Sequence, residues 1–439
     1  MRGFSTARNL LPNGIKTPTR APLRTFGTRK LTPTTTQIER AYLSGRLDEE
    51  RIHKFDPTYW YPATVGQVLN ESYKLVAKLG YGYSSTVWLA KDISRWSWQP
   101  SRYVTLKIST SHAAAKSEDT DQYTHETYIS HQILSKNPSH SGLQFLRTAI
   151  DAFQLEGQKG LHPVLVYEPM REPVSALLDR FEDTGQGRMC EPGFVKTSVG
   201  FVLSGLDYLH NECGIVHCDI SLSNILIPVE SPSILTTLEK SESRYPFPVK
   251  TLHNGHKIHM SHEDLGPIMP GKAIGPPKIH DFGSAIELGG KSRPLFTPAS
   301  YAAPEIVLGC EDSLGADVWG VGMIVWELLA GSKLLDGADP EFHVRTKRKH
   351  LADMISLFGP PPESLLSRGK LSLSFFASGG RFKFPDLLTP NRRLKAKFMD
   401  KMSHDERDAF LNFMKGTVAW DPKERRSVRQ LLEHQWLAQ

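Results

Sequence analysis

Asp219 and Asn224 stand five positions apart in HCDISLSN, residues 217–224. Asp219 is a carboxylate able to accept a hydroxyl proton, and Asn224 an amide oxygen able to ligate a hard cation. Asp281, in IHDFGSA (279–285), offers a second oxygen ligand, with Gly283 behind it to permit a sharp turn. Lys107 ends the apolar run YVTLK, 27 positions after Gly80. An ammonium inside a buried strand needs an anionic partner; phosphate oxygens or the carboxylate of Glu126 in THETYIS would serve. The alternative is a strand-end lysine reaching out to solvent. In LGYGYSSTVWLA (79–90), Gly80 and Gly82 let the backbone approach phosphate with no side chain in the way. Ser85 stands where a third glycine would complete G-x-G-x-x-G, so a plain hairpin competes with that reading. Val87 has the spacing of a side chain that covers a flat aromatic base. A proton acceptor, two metal ligands, a cation and a glycine turn are the parts that phosphoryl transfer needs.

Those parts need a scaffold. YKLVAKLG, STVWLAKD and YVTLKIS, from Tyr73 on, read as short strands, and DQYTHETYISHQIL as a helix. HPVLVYEPM is one more buried strand before a linker. FVKTSVGFVLSGLDYLH predicts a long helix with Val195, Val199, Val202, Leu206 and Leu209 on one face. A sheet-rich first part and a helical second part imply an α+β chain of two lobes with a cleft between them. Residues 228–277 carry eight prolines and little periodicity. Prolines at that density do not fit core helices or central strands, which predicts a partly ordered surface excursion.

Composition narrows the class. The chain has 439 residues, 39% hydrophobic and 23% charged, with a net charge of +6. That is an ordinary globular balance, too weakly basic to imply direct nucleic-acid binding. Cys190, Cys213, Cys218 and Cys310 show no paired spacing, which suits reduced thiols in an intracellular protein. The longest apolar stretch, VWGVGMIVWELLAG, is too short for a membrane span and contains Glu327, so no integral membrane segment is expected. Residues 1–38 hold seven Lys and Arg, four prolines and no acidic residue. This composition suits a mitochondrial transit peptide or, alternatively, a disordered basic arm.

Gly80/Gly82, Lys107, Glu126, Asp219, Asn224, Asp281-Phe282-Gly283 and Ala303-Pro304-Glu305 occur in an order and spacing that resemble a eukaryotic protein kinase. The likeness runs from 73 to 437, through ADVWGVG (316–322) to WDPKERRSV (420–428). Within that family, YWYPATVGQVLNESYKLVAKLGYGYSSTVWLAKD and HLADMISLFGPPP resemble the SR-protein kinases, in particular the compact fungal type. The 57 positions between Asn224 and Asp281 fall where that group carries a spacer. The resemblance implies the two-lobed protein kinase fold, with a β-rich N-lobe at 73–170 and a helical C-lobe at 171–437. The segment 228–277 becomes an insertion, and 1–55 a basic N-terminal extension.

It further implies ATP and Mg2+ as cofactors and a protein substrate, with serines in Arg/Ser-rich segments as the target. A monomer in cytoplasm or nucleus goes with it. ATP would meet Leu79, Gly80, Tyr81, Gly82, Tyr83, Ser84, Ser85, Thr86, Val87 and Lys107. Glu168, Pro169 and Met170 would form the adenine hinge, with Tyr167 at its back. By the same resemblance Asp219, Lys107 and Glu126 are catalytic and Asn224 and Asp281 hold metal. Asp317 would brace the catalytic loop, and Glu305 would pair with Arg425.

The chain departs from the family pattern at several places. Cys218 stands where Arg is usual, so no arginine waits there for an activation-loop phosphate. Ser221 replaces a Lys facing the transferred phosphate, Thr105 a small alanine above the adenine, and Ala302 an Arg. Losing one preorganised stabiliser costs roughly 10²–10³ in rate, which predicts a slowed kinase. The competing class is a pseudokinase that binds nucleotide or scaffolds a partner. HVRTKRKH (343–350) is basic where an Arg-rich substrate would want acid.

Overall fold

The computed structural model describes residues 45–438, apart from 97, 112–121, 184, 186, 264, 269–273, 290–299, 311–313 and 391–393. Residues 1–38, for which a transit peptide or a basic arm is expected, lie outside the described residues. Six strands form one sheet in the order β1-β2-β3-β4-β6-β5. These are β1 (Val68–Leu69), β2 (Tyr73–Gly82), β3 (Ser85–Asp92), β4 (Arg102–Ser109), β5 (Asp151–Gly157) and β6 (Gly160–Tyr167). Helix α1 (Gln122–Ser135) follows β4. Cross-strand register pairs Val87 with Lys107, Leu89 with Thr105, and Thr105 with Tyr167. Directly paired residues point to one face, so these side chains share a side of the sheet.

After β6 comes β7 (Met170–Pro173), then helices α2 (Val174–Asp183) and α3 (Pro192–Asp207). The predicted Val195/Val199/Val202/Leu206 face of α3 is buried, and Leu209 follows it in the wider turn Tyr208–Cys213. Strands β8 (Ile215–Val216) and β9 (Ile225–Pro228) flank the HCDISLSN segment. β9 sits between β7 and β12 (Lys278–Ile279), while β8 pairs with β13 (Ile286–Glu287). Helix α6 (Gly315–Ala330), preceded by the short α5 (Pro304–Leu308), is the core of the helical part: every residue from Ala316 to Leu329 is buried. A helix apolar on all sides has to be enclosed. Gly320 lets it press on the loop, since a Cβ there would come within 2.7 Å of Ile220 Cβ and of the Ile220 carbonyl oxygen.

The insertion corrects the expectation of a surface excursion. Residues 228–277 contain helix α4 (Pro232–Arg244) and a hairpin of β10 (Val249–Thr251) and β11 (Lys257–His259). Ile234, Leu235 and Leu238 of α4 join Val76, Ala77, Leu89 and Tyr103 of the large sheet in one buried cluster. Pro232 opens the helix behind the Ser231 cap, where a missing N–H is harmless. Arg171, after the linker, donates to both Glu230 carboxylate oxygens at 2.6 and 2.7 Å, tying the insertion to the second part.

The extension 1–55 likewise does not end at a free arm, for residues 45–55 fold onto the same region. Lys78, buried in β2, pairs with Asp48 at 3.0 Å, with Glu49, and with the His259 carbonyl. Leu47 packs with Phe247, Ile258 and Met260 of the insertion. Leu238 is fully buried, so Leu238→Ala is expected to cost about 2–5 kcal/mol in a denaturant titration. A cost under about 0.5 kcal/mol, as at an ordinary surface position, would show that the helix does not dock.

Candidate active site

Four backbone segments converge beneath the large sheet. β2 and β3 meet in a tight hairpin whose last pair is Gly82 and Ser85, with Tyr83 exposed at its tip. A Cβ built on Gly80 meets nothing within 4 Å, so open space lies there. Lys107 Nζ is 2.9 Å from Glu126 Oε2 of α1 and 2.9 Å from Asp281 Oδ1. Both carboxylates favour the ammonium and raise the Lys107 pKa in spite of burial, and Lys107 holds Asp281 well below the usual carboxylate range. The anionic partner that the strand lysine requires is thus doubled, and the solvent-reaching alternative is not what the fold does.

The pairing of Ile225 with Ile279 sets Asn224 beside the His280–Asp281 turn, where the His280 N–H donates to the Asn224 carbonyl at 3.0 Å. Asp281 adopts a left-handed φ of 66°, a conformation Asp tolerates better than most residues. Asn224 Nδ2 donates to the Asp219 carbonyl at 2.9 Å and to Asp219 Oδ2 at 2.8 Å. The amide nitrogen is thereby used on Asp219, which turns the Asn224 carbonyl oxygen over to other work. One carboxylate plus one amide oxygen is a donor set suited to Mg2+, which keeps waters and shares phosphate oxygens.

Asp219 itself is desolvated, and burial pushes its pKa up to about 6, with Asp281 adding to the rise. Its Oδ1 is buried and accepts no hydrogen bond among the described residues. The loop is braced from α6. Asp317, fully buried, accepts from the backbone N–H of His217 and of Cys218, each at 2.8 Å. His210 Nε2 is 2.8 Å from the same carboxylate. The His217 ring lies 3.0 Å from the His280 carbonyl through Nε2, while Nδ1 accepts from the Asp219 N–H. Glu305 and Arg425 form a buried bidentate pair at 2.6 and 2.8 Å.

The departures have physical counterparts. Cys218 is packed with Val216 and Ile286 in an apolar cluster, so the position offers no cation. Ser221 is 1% exposed, and its Oγ has no hydrogen-bond partner among the described residues. The Ala302 carbonyl lies 2.9 Å from His350 Nε2. The expected basic surface of HVRTKRKH is corrected. Arg345 pairs with Asp336 at 3.1 Å, Arg348 with Asp339 at 2.6 Å and with Glu341, and Lys349 with Asp353 at 2.5 Å.

Two features escape sequence reasoning. Asp179, Glu182 and Glu327 converge on Arg188, beside a cavity of about 620 Å3 that Ser223 and Tyr301 also line. These acids come from two helices, α2 and α6, whose meeting no spacing encodes. Arg147, in LQFLRTAI, is a lone cation in an apolar run, and that signal was available. The structure buries it against the Tyr167 ring, 4.7 Å from centroid to guanidinium carbon, with Nε and Nη2 donating to the Glu168 carbonyl. Tyr167 in turn donates from its hydroxyl to Glu126 at 2.6 Å, and the Glu168 carboxylate pairs with Lys278.

Comparison with known proteins places this geometry. The protein kinase domain family model matches residues 248–437. A serine/threonine protein kinase of Aspergillus fumigatus is 29% identical over 408 residues, covering 92% of this chain and 94% of that one. The serine/threonine-protein kinase SRPK of Physarum polycephalum is 28% identical over 89% of this chain and 92% of its own length. SRSF protein kinase 3 of Mus musculus is 32% identical over 192 residues, 43% of this chain and 32% of that one. A kinase domain of known crystal structure superposes with a TM-score of 0.62 over 87% of this chain and all of its own, at 19% identity. That last likeness bears on the fold alone.

Proposed function

We infer that the chain is a eukaryotic protein kinase of the SR-protein kinase group and that it transfers the γ-phosphate of ATP to serine and threonine hydroxyls of proteins. The observation that carries this reading is Lys107 bridging Glu126 and Asp281 at 2.9 Å each, with Asp219 and Asn224 bonded to one another alongside. Phosphoryl transfer asks the protein mainly to position groups and to stabilise charge. Lys107 would meet phosphate oxygens in the same polar cleft, held at its depth by Glu126. Asn224 and Asp281 would hold Mg2+, which when bound neutralises charge on the phosphates. Asp219 Oδ1, buried and without a hydrogen-bond partner among the described residues, is the acceptor available to orient a substrate hydroxyl and take its proton.

The lobes meet at Met170–Arg171, with 228–277 as an insertion that joins both. Cytoplasm or nucleus goes with the group. For substrate, an Arg/Ser-rich segment is supported by the acids beside Ser223: Asp179, Glu182 and Glu327 already hold one guanidinium, that of Arg188. Charge-assisted pairing of this kind favours arginine over neutral side chains.

A second reading, a pseudokinase, is favoured by Ser221, whose buried hydroxyl leaves the transferred phosphate one cation short. The two readings part in one experiment. Purified protein with labelled ATP and Mg2+ is expected to phosphorylate Arg/Ser peptides, and more slowly a generic basic protein, while Lys107→Met is inactive. Incorporation no higher than in Lys107→Met on every substrate would replace the kinase reading with the pseudokinase.

A further inference from the structure

The acids beside Ser223 already have an occupant, and it comes from the chain itself. Arg188 follows α2 in a stretch where Gly185 and Gly187 take φ of 76° and 74°, a left-handed backbone that suits glycine. The stretch is fixed to the end of α6. There the Cys190 N–H donates to the Leu328 carbonyl at 2.8 Å, and a Cβ on Gly331 would lie 3.4 Å from Arg188 Cβ. Arg188 Nη1 reaches Asp179 and Glu182, while Nη2 reaches Glu327 at 3.2 Å. The three partners differ in depth. The Asp179 and Glu182 side chains are 63% exposed, where an ion pair is worth little. The Glu327 side chain is 4% exposed, and the Tyr301 hydroxyl also donates to it. A carboxylate buried this far needs a counter-ion. The other two cations lining the cavity are engaged elsewhere: Lys333 donates to Ser300 Oγ at 2.9 Å, and Arg345 pairs with Asp336. On the same wall the Ser175 and Ser223 hydroxyls meet at 3.3 Å, and Ser223 precedes Asn224 in the catalytic loop. The cavity thus adjoins both the loop that carries Asp219 and the acids that hold Arg188.

We propose that Arg188 is an autoinhibitory occupant: it fills the place of a substrate arginine against Glu327, and substrate binds by displacing it. An incoming guanidinium brings Glu327 the same fork of donors, so the exchange leaves the buried carboxylate paired. The apparent affinity for that arginine is scaled down by the fraction of molecules in which Arg188 has left. A neutral side chain cannot make the exchange, because it would strand Glu327 without a counter-ion. The proposal rests on the reading of the substrate as an Arg/Ser-rich segment and concerns how that segment gains entry.

The test measures, by calorimetry, binding of an Arg/Ser peptide to the parent and to Arg188→Ala, beside the same peptide with citrulline for arginine. Citrulline keeps the shape and removes the charge. Arg188→Ala is expected to bind the Arg/Ser peptide about tenfold more tightly than the parent, the low end of what a close charge pair contributes across an interface. The citrulline peptide should bind both proteins equally. In turnover, KM for the Arg/Ser peptide should fall while KM for ATP stays. Arg188→Gln, which keeps a donor toward Glu327, should behave alike and serves if the alanine variant does not melt cooperatively. Unchanged or weaker binding of the Arg/Ser peptide to the folded variant overturns the occupant and makes Arg188 a structural partner of Glu327. An equal gain for both peptides overturns it as well. In either case a parent that prefers arginine to citrulline leaves the Arg/Ser reading standing. A parent and variants that bind the two peptides alike remove the Arg/Ser reading, and the occupant with it.

Discussion

Asp219→Asn is expected to lower phosphate transfer by roughly 10²–10⁴, the usual contribution of a positioned general base, while nucleotide affinity stays near the parent's. Asn keeps the shape and the partnership with Asn224 but cannot accept the proton. Ser221→Lys, two residues away, should act in the opposite direction. It restores a cation beside the transferred phosphate, and one such stabiliser is worth roughly 10²–10³ in rate. A folding defect would not move two neighbouring variants apart in this way. Initial rates and ATP affinities for both variants, beside the parent, decide it. Equal rates for parent and Asp219→Asn would remove Asp219 from the chemistry.

The pH dependence follows from the same carboxyl group. Its pKa is raised to about 6 by burial, so the base form is lost below that value and turnover should fall as pH drops through it. Stability moves the other way. A carboxyl that holds its proton more tightly folded than unfolded stabilises below its unfolded value and loses that contribution as pH rises through about 6. At pH 7 the charge at Asp219 therefore works against folding, and Asp219→Asn should melt at the parent's temperature or above it. A lower melting temperature for Asp219→Asn would mean that the charge is bound by partners stronger than its desolvation.

Arg425→Ala is expected to cost about 3–5 kcal/mol of stability, because it strands the buried Glu305 carboxylate without a counter-ion. Arg425 also donates to the carbonyls of Ala419 at 2.9 Å and Gly315 at 2.7 Å, and it stacks over the Trp319 ring. One side chain thus ties Glu305 of α5 and Gly315 of α6 to the C-terminal segment. Urea titration of the variant reads the loss. A change below about 1 kcal/mol would mean that the segment holds together by apolar packing alone.

Much of the site was legible in the sequence because its parts are local. HCDISLSN carries base and amide within one turn of chain, and Asp281 with Gly283 announces a turn by composition. The apolar run YVTLK put Lys107 in a buried strand, and a buried ammonium demands an anion wherever the chain folds. Resemblance then supplied the order in which these pieces recur.

Tertiary structure decided what depends on distant residues meeting. The insertion looked like surface because proline density was read as exposure, yet Pro228 and Pro232 sit at the ends of elements, and the apolar residues of α4 complete a buried cluster with the sheet. HVRTKRKH looked basic because Asp336, Asp339 and Glu341 precede the string and Asp353 follows it, and only folding sets each against its cation. Arg147 is the sharpest case. Nothing near it in the chain says that its guanidinium lies on a carbonyl 21 positions away. Local chemistry is written residue by residue, whereas the partner of a buried charge is chosen by whichever segment the fold brings against it.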